Sequence, residues 1–274
     1  MDKLDRLVWA TGVSFTSYGL SIGIRVSQPE VMDQVMKLLP PGWKPGRYPV
    51  VDRLYSLVAG GATPRNNVKR FNLVYVGVGR LARSLDLNEA LQILEADLRL
   101  YVAERARGRL FVHAGVVGWR GKAIVLPGRS FCGKSTLVAA LVRAGATYYS
   151  DEYAVLDARG RVHPYLVPLS LRTDPEGAPK RIALEGCPVE TGLAPLPVGA
   201  IVVTQFQADA RWRPRQVTPG QAVLSLLSNT VAARRRPMSA FKTLSHLVVG
   251  VPVLQGKRGE ADEMAARLLE TVGG

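Results

Sequence analysis

Gly128-Arg129-Ser130-Phe131-Cys132-Gly133-Lys134-Ser135 is the stretch whose reading decides the fold. It fits G-x-x-x-x-G-K-[ST], a phosphate-binding loop. The chemistry follows from backbone geometry: the glycines let successive N–H groups turn inward around an anion, and the positive end of the following helix points at the same place. Lys134 is then expected at the terminal phosphates and the Ser135 hydroxyl on Mg²⁺, with Thr136 completing the cradle. The flanks supply the required context. Ala123-Ile124-Val125-Leu126 predicts an apolar strand leading in, and Leu137, Leu141 and Val142 predict an amphipathic helix from Lys134 to Arg143 leading out. Cys132 reads either as a small residue that fits the loop or as a thiol activated by its amides.

Working outward, a loop of this kind needs an acidic partner at the end of a neighbouring strand, to position Mg²⁺ or take a proton from a nucleophile. Asp151-Glu152 follow the predicted strand Ala146 to Ser150, one helix after the loop. With that strand beside the one feeding the loop, both acids emerge at the phosphate end. Upstream, Leu110 to Trp119 predicts a strand joined to the loop's strand by a turn at Arg120-Gly121. It carries His113, which by itself reads equally as a core histidine or a catalytic one.

Further along, a hairpin is expected from Ala154 to Val162. A Pro/Gly-rich loop or lid is expected from Thr173 to Pro197, and a strand from Ala200 to Phe206. Thr218-Pro219-Gly220-Gln221 has capping-box spacing and predicts a helix running to about Ala232. Two more helices are expected at 238 to 249 and 259 to 272. His163 and His246 have no motif around them. Arg234-Arg235-Arg236 reads either as a solvated cap on the helix before it or as a clamp on an acceptor or a transferred phosphate.

Before Arg109 the character differs. Alternation over residues 17 to 26 predicts one strand, and helical spacing follows from Glu30 to the stop at Pro40-Pro41-Gly42. Strands are expected at Val50 to Val58 and Phe71 to Val78. A long helix with the stripe Leu91, Leu94, Leu98, Tyr101 and Val102 comes next, with Asn88 as its N-cap. The chain therefore reads as an α+β unit over 1–108 and an α/β nucleotide-binding unit over 109–274.

The 274 residues, 47% hydrophobic, are enough to bury a core, and no run approaches the length of a membrane span. Met1-Asp2-Lys3-Leu4-Asp5 lacks the pattern of a secretory signal, and two cysteines, Cys132 and Cys187, make no disulfide framework, so a cytoplasmic protein without a membrane partner is expected. Lys+Arg 36 against Asp+Glu 22 gives +14, which calls for a negatively charged partner. Residues 195–258 carry nine basic residues (Arg211, Arg213, Arg215, Arg234, Arg235, Arg236, Lys242, Lys257, Arg258) and one acid, Asp209, a net of +8. No motif of interleaved aromatic and basic residues accompanies this charge, so nucleic acid is not the expected partner. An acidic polypeptide and phosphates stay open.

His113-Ala114-Gly115, the loop at Gly128 and Asp151-Glu152 together resemble the catalytic core of HPr kinase/phosphorylase, whose fold is shared with the nucleotide-binding part of phosphoenolpyruvate carboxykinase. The resemblance is firm over 111–156. It implies a P-loop kinase domain using ATP and Mg²⁺, with Asp151 as acid/base for a serine hydroxyl, Glu152 helping to hold Mg²⁺, and His113 near the transferred phosphoryl group. It also implies a homo-oligomer. Phe131 stands where the family usually has a loop glycine, Glu152 replaces a second aspartate, and Leu184-Glu185-Gly186-Cys187 is at best a remnant of a Gly-Leu-Gly signature. With these departures the chain looks more like the divergent HPr-kinase-like proteins, some of which phosphorylate serine in ribosomally made peptides. The expected activity is phosphoryl transfer to such a serine. A nucleotide sensor that transfers nothing and a kinase of a small-molecule hydroxyl are the alternatives.

Overall fold

Apolar residues that alternate along 110–126 send one set of side chains to each face of a sheet, and a computed structural model of the chain places helices on both. It describes residues 7, 9–47, 50–60, 70–128, 133–171, 180–181 and 190–273. The chain is mixed α/β and divides into two compact units, Met1–Gly108 and Arg109–Gly274.

In the first unit, β1 (Thr11–Ser17), β2 (Leu20–Val26), β3 (Lys44–Pro45), β4 (Arg53–Val58), β5 (Asn72–Val76) and β6 (Gly79–Ser84) form a six-stranded sheet in the order β3-β1-β2-β4-β5-β6. Of the single strand expected over 17–26, residues 20–26 form β2; its first residues instead make the end of β1 and a turn at Tyr18 (φ 47°) and Gly19 (φ 80°), and β1 itself was not expected. The helix expected from Glu30 shortens to a 3₁₀ turn at Pro29–Val31 and α1 (Met32–Met36). The long helix α2 (Leu87–Arg105) is capped by Asp86, not Asn88: the Asp86 carboxylate accepts from the Asn88 N–H at 2.8 Å. Leu91, Leu94, Leu98 and Val102 are buried as the stripe requires.

The second unit begins with β7 (Leu110–Trp119) and β8 (Lys122–Pro127), followed by α3 (Lys134–Arg143), β9 (Thr147–Ser150), β10 (Tyr153–Leu156) and β11 (Arg161–His163). Two short strands, β12 (Ser170–Leu171) and β13 (Lys180–Arg181), pair with each other. Then come β14 (Leu196–Phe206), β15 (Arg215–Gln216), α4 (Pro219–Leu227), α5 (Pro237–Leu247), β16 (Val253–Arg258) and α6 (Ala261–Gly273). The main sheet runs β11-β10-β7-β8-β14-β16-β15, with β9 also on β7.

On one face, Ala123 and Val125 of β8 pack with Ala222, Val223 and Leu226 of α4 and Ala240 and Leu244 of α5. On the other, Ile124 and Leu126 pack with Leu137 and Leu141 of α3 and Met264 and Leu268 of α6. Each fully buried Leu or Ile contributes about 1.5–3 kcal/mol to this core. Gly115 on β7 lets α3 come close, since a Cβ there would run into Val138.

Three local expectations change. The helix from Thr218 has its capping box but ends at Leu227, because Ser228 Oγ and Asn229 Nδ2 both donate back to the Ser225 carbonyl at 2.8 Å and the chain then pairs with β7. An unforeseen strand, β16, lies between the last two helices. Of the loop expected over 173–197, residues 172–179 and 182–189 lie outside the described residues.

Candidate functional site

Three parallel strands end at one edge of the second unit's sheet. β8 pairs in parallel with β14 (Ile201 beside Val125), and β14 pairs in parallel with β16 (Phe206 beside Arg258). Ligands of open α/β sheets bind at such carboxyl ends, and the Gly128 loop leaves β8 there. Arg129, Ser130, Phe131 and Cys132 lie outside the described residues.

The two ends of the loop are defined. Gly133 is the N-cap of α3 in the left-handed conformation (φ 77°), a position that favours glycine. Among the described residues no side chain caps this helix, and its first turn holds no acid. Lys134 Nζ reaches back 2.7 Å to donate to the Gly128 carbonyl, tying the end of the loop to its beginning. Ser135 is half-buried and Thr136 exposed. An uncapped helix end, a left-handed glycine and a lysine across the loop mouth suit a bound polyphosphate.

The acids reach this edge by a route the sequence did not predict. β9 does not lie beside β8: it pairs antiparallel with β7, which pairs antiparallel with β8 on its other side. Two reversals restore the direction, so β9 still points its end at the loop's edge. Between β9 and β10 the strand breaks at Asp151-Glu152. The Ser150 hydroxyl accepts from the Glu152 and Tyr153 N–H groups at 3.2 and 3.1 Å, which supports the break. Across three strands the residues fall level. The Ala114 N–H donates to the Glu152 carbonyl at 3.2 Å, Tyr153 pairs with His113, and the Gly128 N–H donates to the His113 carbonyl at 3.2 Å. His113, Glu152 and the first loop glycine are thereby placed together, and Asp151, only 9% exposed, sits one residue further back.

His113 is held from several sides. Its N–H donates to the Asn229 carbonyl at 2.7 Å, and its ring lies 5.2 Å from that of Tyr153. Tyr153 in turn packs edge-on against Phe111 and Tyr165. Burial first, and then the Lys134 charge, push the His113 pKa below its ordinary value, against a hydrogen bond to the Glu152 backbone. The shift favours the neutral imidazole, and among the described residues its buried Nδ1 has no hydrogen-bond partner. Among the described residues no group of three or more His, Cys, Asp or Glu side chains is arranged to hold a metal ion. Mg²⁺ keeps several waters and takes few protein oxygens when it binds beside phosphate, so it does not require such a cluster.

The arginine run does not cap α4, which ends seven residues before Arg234. Arg234 and Arg235 are exposed, and Arg236 is the half-buried N-cap of α5. His163 belongs elsewhere, on Asp157, and His246 is exposed. Sequence reasoning missed Arg258. It was counted with the basic surface, yet it is 2% exposed, and its Nη2 donates to the Gly133 carbonyl at 2.8 Å. The available signal was the run Val253 to Arg258 between Pro252 and Gly259, whose strand pattern would have put Arg258 at a strand end. Among the described residues no helix is long and apolar enough to cross a membrane. In comparisons with known proteins, no family model matches this chain, and no curated protein matches it.

Proposed function

We propose that residues 109–274 form a P-loop kinase domain, similar to that of HPr kinase, which transfers the γ-phosphoryl group of ATP to a serine hydroxyl of an acidic peptide or protein. The observation that carries this reading is the level alignment of His113, Glu152 and Gly128 across three strands beside Lys134, which bridges the loop mouth. Lys134 and the α3 amides would bind the phosphates. Ser135 and Glu152 would hold Mg²⁺, which supplies charge neutralisation when bound. Asp151 would take the proton of the acceptor hydroxyl as its oxygen bonds to the γ-phosphorus and the bond to the β-phosphate oxygen breaks, releasing ADP. Neutral His113 would orient the acceptor or the transferred group by hydrogen bonding.

The exposed cations Arg211, Arg213, Arg215, Arg234, Arg235, Lys242 and Lys257 favour an acidic acceptor. Incubation with labelled ATP, Mg²⁺ and acidic serine peptides is expected to label peptide, and to stop doing so in Lys134→Ala. Tight ATP binding with neither transfer nor hydrolysis would instead favour the sensor reading, for which the bulk of Phe131 in the loop speaks. Label on a small hydroxyl compound alone would move the acceptor to that class.

A further inference from the structure

Arg258 is a buried cation 125 residues from the loop it touches. It stands at the end of β16, directly beside Phe206 at the end of the neighbouring parallel strand, and its guanidinium lies 5.3 Å from the Phe206 ring centre. Nη1 donates to the Gly259 carbonyl at 2.9 Å and Nη2 to the Gly133 carbonyl at 2.8 Å. A planar fork held at two carbonyls beside an aromatic ring has one orientation, which a lysine would not reproduce. The Gly133 carbonyl also accepts the Leu137 N–H at 3.2 Å, the first bond of α3. A Cβ on Gly133 would collide with the guanidinium, so this glycine serves the close approach as well as the left-handed turn.

We infer that Arg258 is a positioning residue for the phosphate-binding end of α3, and that it sets the site's preference for highly charged polyphosphates. The peptide between Gly133 and Lys134 is planar and trans, so its C=O and N–H point in opposite directions. Holding that carbonyl toward β16 and into the helix turns the Lys134 N–H outward, toward the anion. The guanidinium, itself buried away from water where charges act more strongly, also adds a full positive charge behind the helix end. The loop's own sequence contains neither device. Both come from a strand that folds in from the far end of the chain.

The inference rests on the nucleotide reading above, and one set of titrations separates the two. Calorimetry of the full chain with Mg²⁺ and AMP, ADP, ATP or inorganic tripolyphosphate would be run on wild type, Lys134→Ala, Arg258→Met and Arg258→Lys. Arg258→Met is expected to weaken ATP and tripolyphosphate by more than tenfold and AMP by less than threefold. Arg258→Lys, which keeps the charge but not the fork, is expected to recover part of the loss. It also stands in for Arg258→Met if that variant does not fold. Folded Arg258 variants that bind ATP as tightly as wild type overturn the role of Arg258 alone. An equal loss for AMP and ATP does the same, because it marks a merely structural residue. Absence of nucleotide and tripolyphosphate binding in wild type overturns both readings.

Discussion

At the β10–β11 turn, the Asp157 carboxylate lies 3.0 Å from His163 Nε2, accepts from Arg161 Nε at 3.0 Å, and takes the Arg159 and Arg161 N–H groups at 2.9 and 3.0 Å. At the loop edge of the same sheet, His113, Asp151 and Lys134 repeat the combination of histidine, aspartate and cation with a different outcome. There the lysine donates to a backbone carbonyl, and the histidine, shifted toward its neutral form, has a buried nitrogen without a partner among the described residues. A cluster whose polar atoms are all turned on one another stabilises a turn. One that keeps a donor or acceptor in reserve, beside an uncapped helix end, has capacity left for a ligand.

Exchanging each aspartate for asparagine probes that contrast most sharply. Asp151→Asn is expected to lower phosphoryl transfer by about 10²–10⁴-fold while ATP affinity by calorimetry stays within about threefold, the mark of a lost proton acceptor rather than lost binding. Equal turnover by the variant would remove Asp151 as the base. His113→Gln, which keeps hydrogen-bonding capacity but shifts its position, is expected to cost about tenfold in turnover with little change in melting temperature. A large loss of stability with normal turnover would make His113 a structural residue, as His163 is on Asp157.

Replacing Arg234, Arg235 and Arg236 together by Ala is expected to raise the KM for an acidic acceptor by about 3–10-fold and to weaken its salt dependence, with the KM for ATP unchanged. The reverse pattern would place these arginines on the nucleotide. The smallest effect belongs to the closed cluster. Burial pushes the Asp157 carboxyl up, but hydrogen bonds from His163, Arg161 and Arg159 outweigh it and hold the pKa at about 2, below the ordinary 3.8. Its stabilisation is therefore complete above pH 3.8 and lost as the pH falls from there through about 2. Asp157→Asn should cost about 1–2 kcal/mol at pH 7, with transfer unchanged. In denaturant titrations the gap from wild type should close below pH 4, and a gap that persists at pH 2 would refute the ionic origin of the effect.

Much of the second unit was legible because its signals are local. The helix from Lys134 to Arg143 begins at a left-handed glycine and runs as far as its apolar stripe, and both are written within a few residues. The turn at Arg120-Gly121 and the hairpin around Asp157 carry their own turn chemistry. Less legible were the end of α4 and the start of the strand expected over 17–26. The helical pattern ran on past the point where pairing with β7 took over, and the alternating pattern began inside the reversal at Tyr18-Gly19.

The sequence by itself determined that a glycine-flanked loop, a lysine and a hydroxyl stand between an apolar strand and an amphipathic helix, because each of those features is set by neighbouring residues. It also marked His113, Asp151 and Glu152 as the candidates near that loop. Only the tertiary structure decided that β7 separates β9 from β8, that the acids nevertheless reach the loop's edge, and that Arg258 is buried against the Gly133 carbonyl rather than lying on the charged surface. Strand order and the meeting of residues 125 positions apart depend on which faces bury one another across the whole sheet. Local periodicity says which side of a strand is apolar, and nothing about which strand will lie beside it.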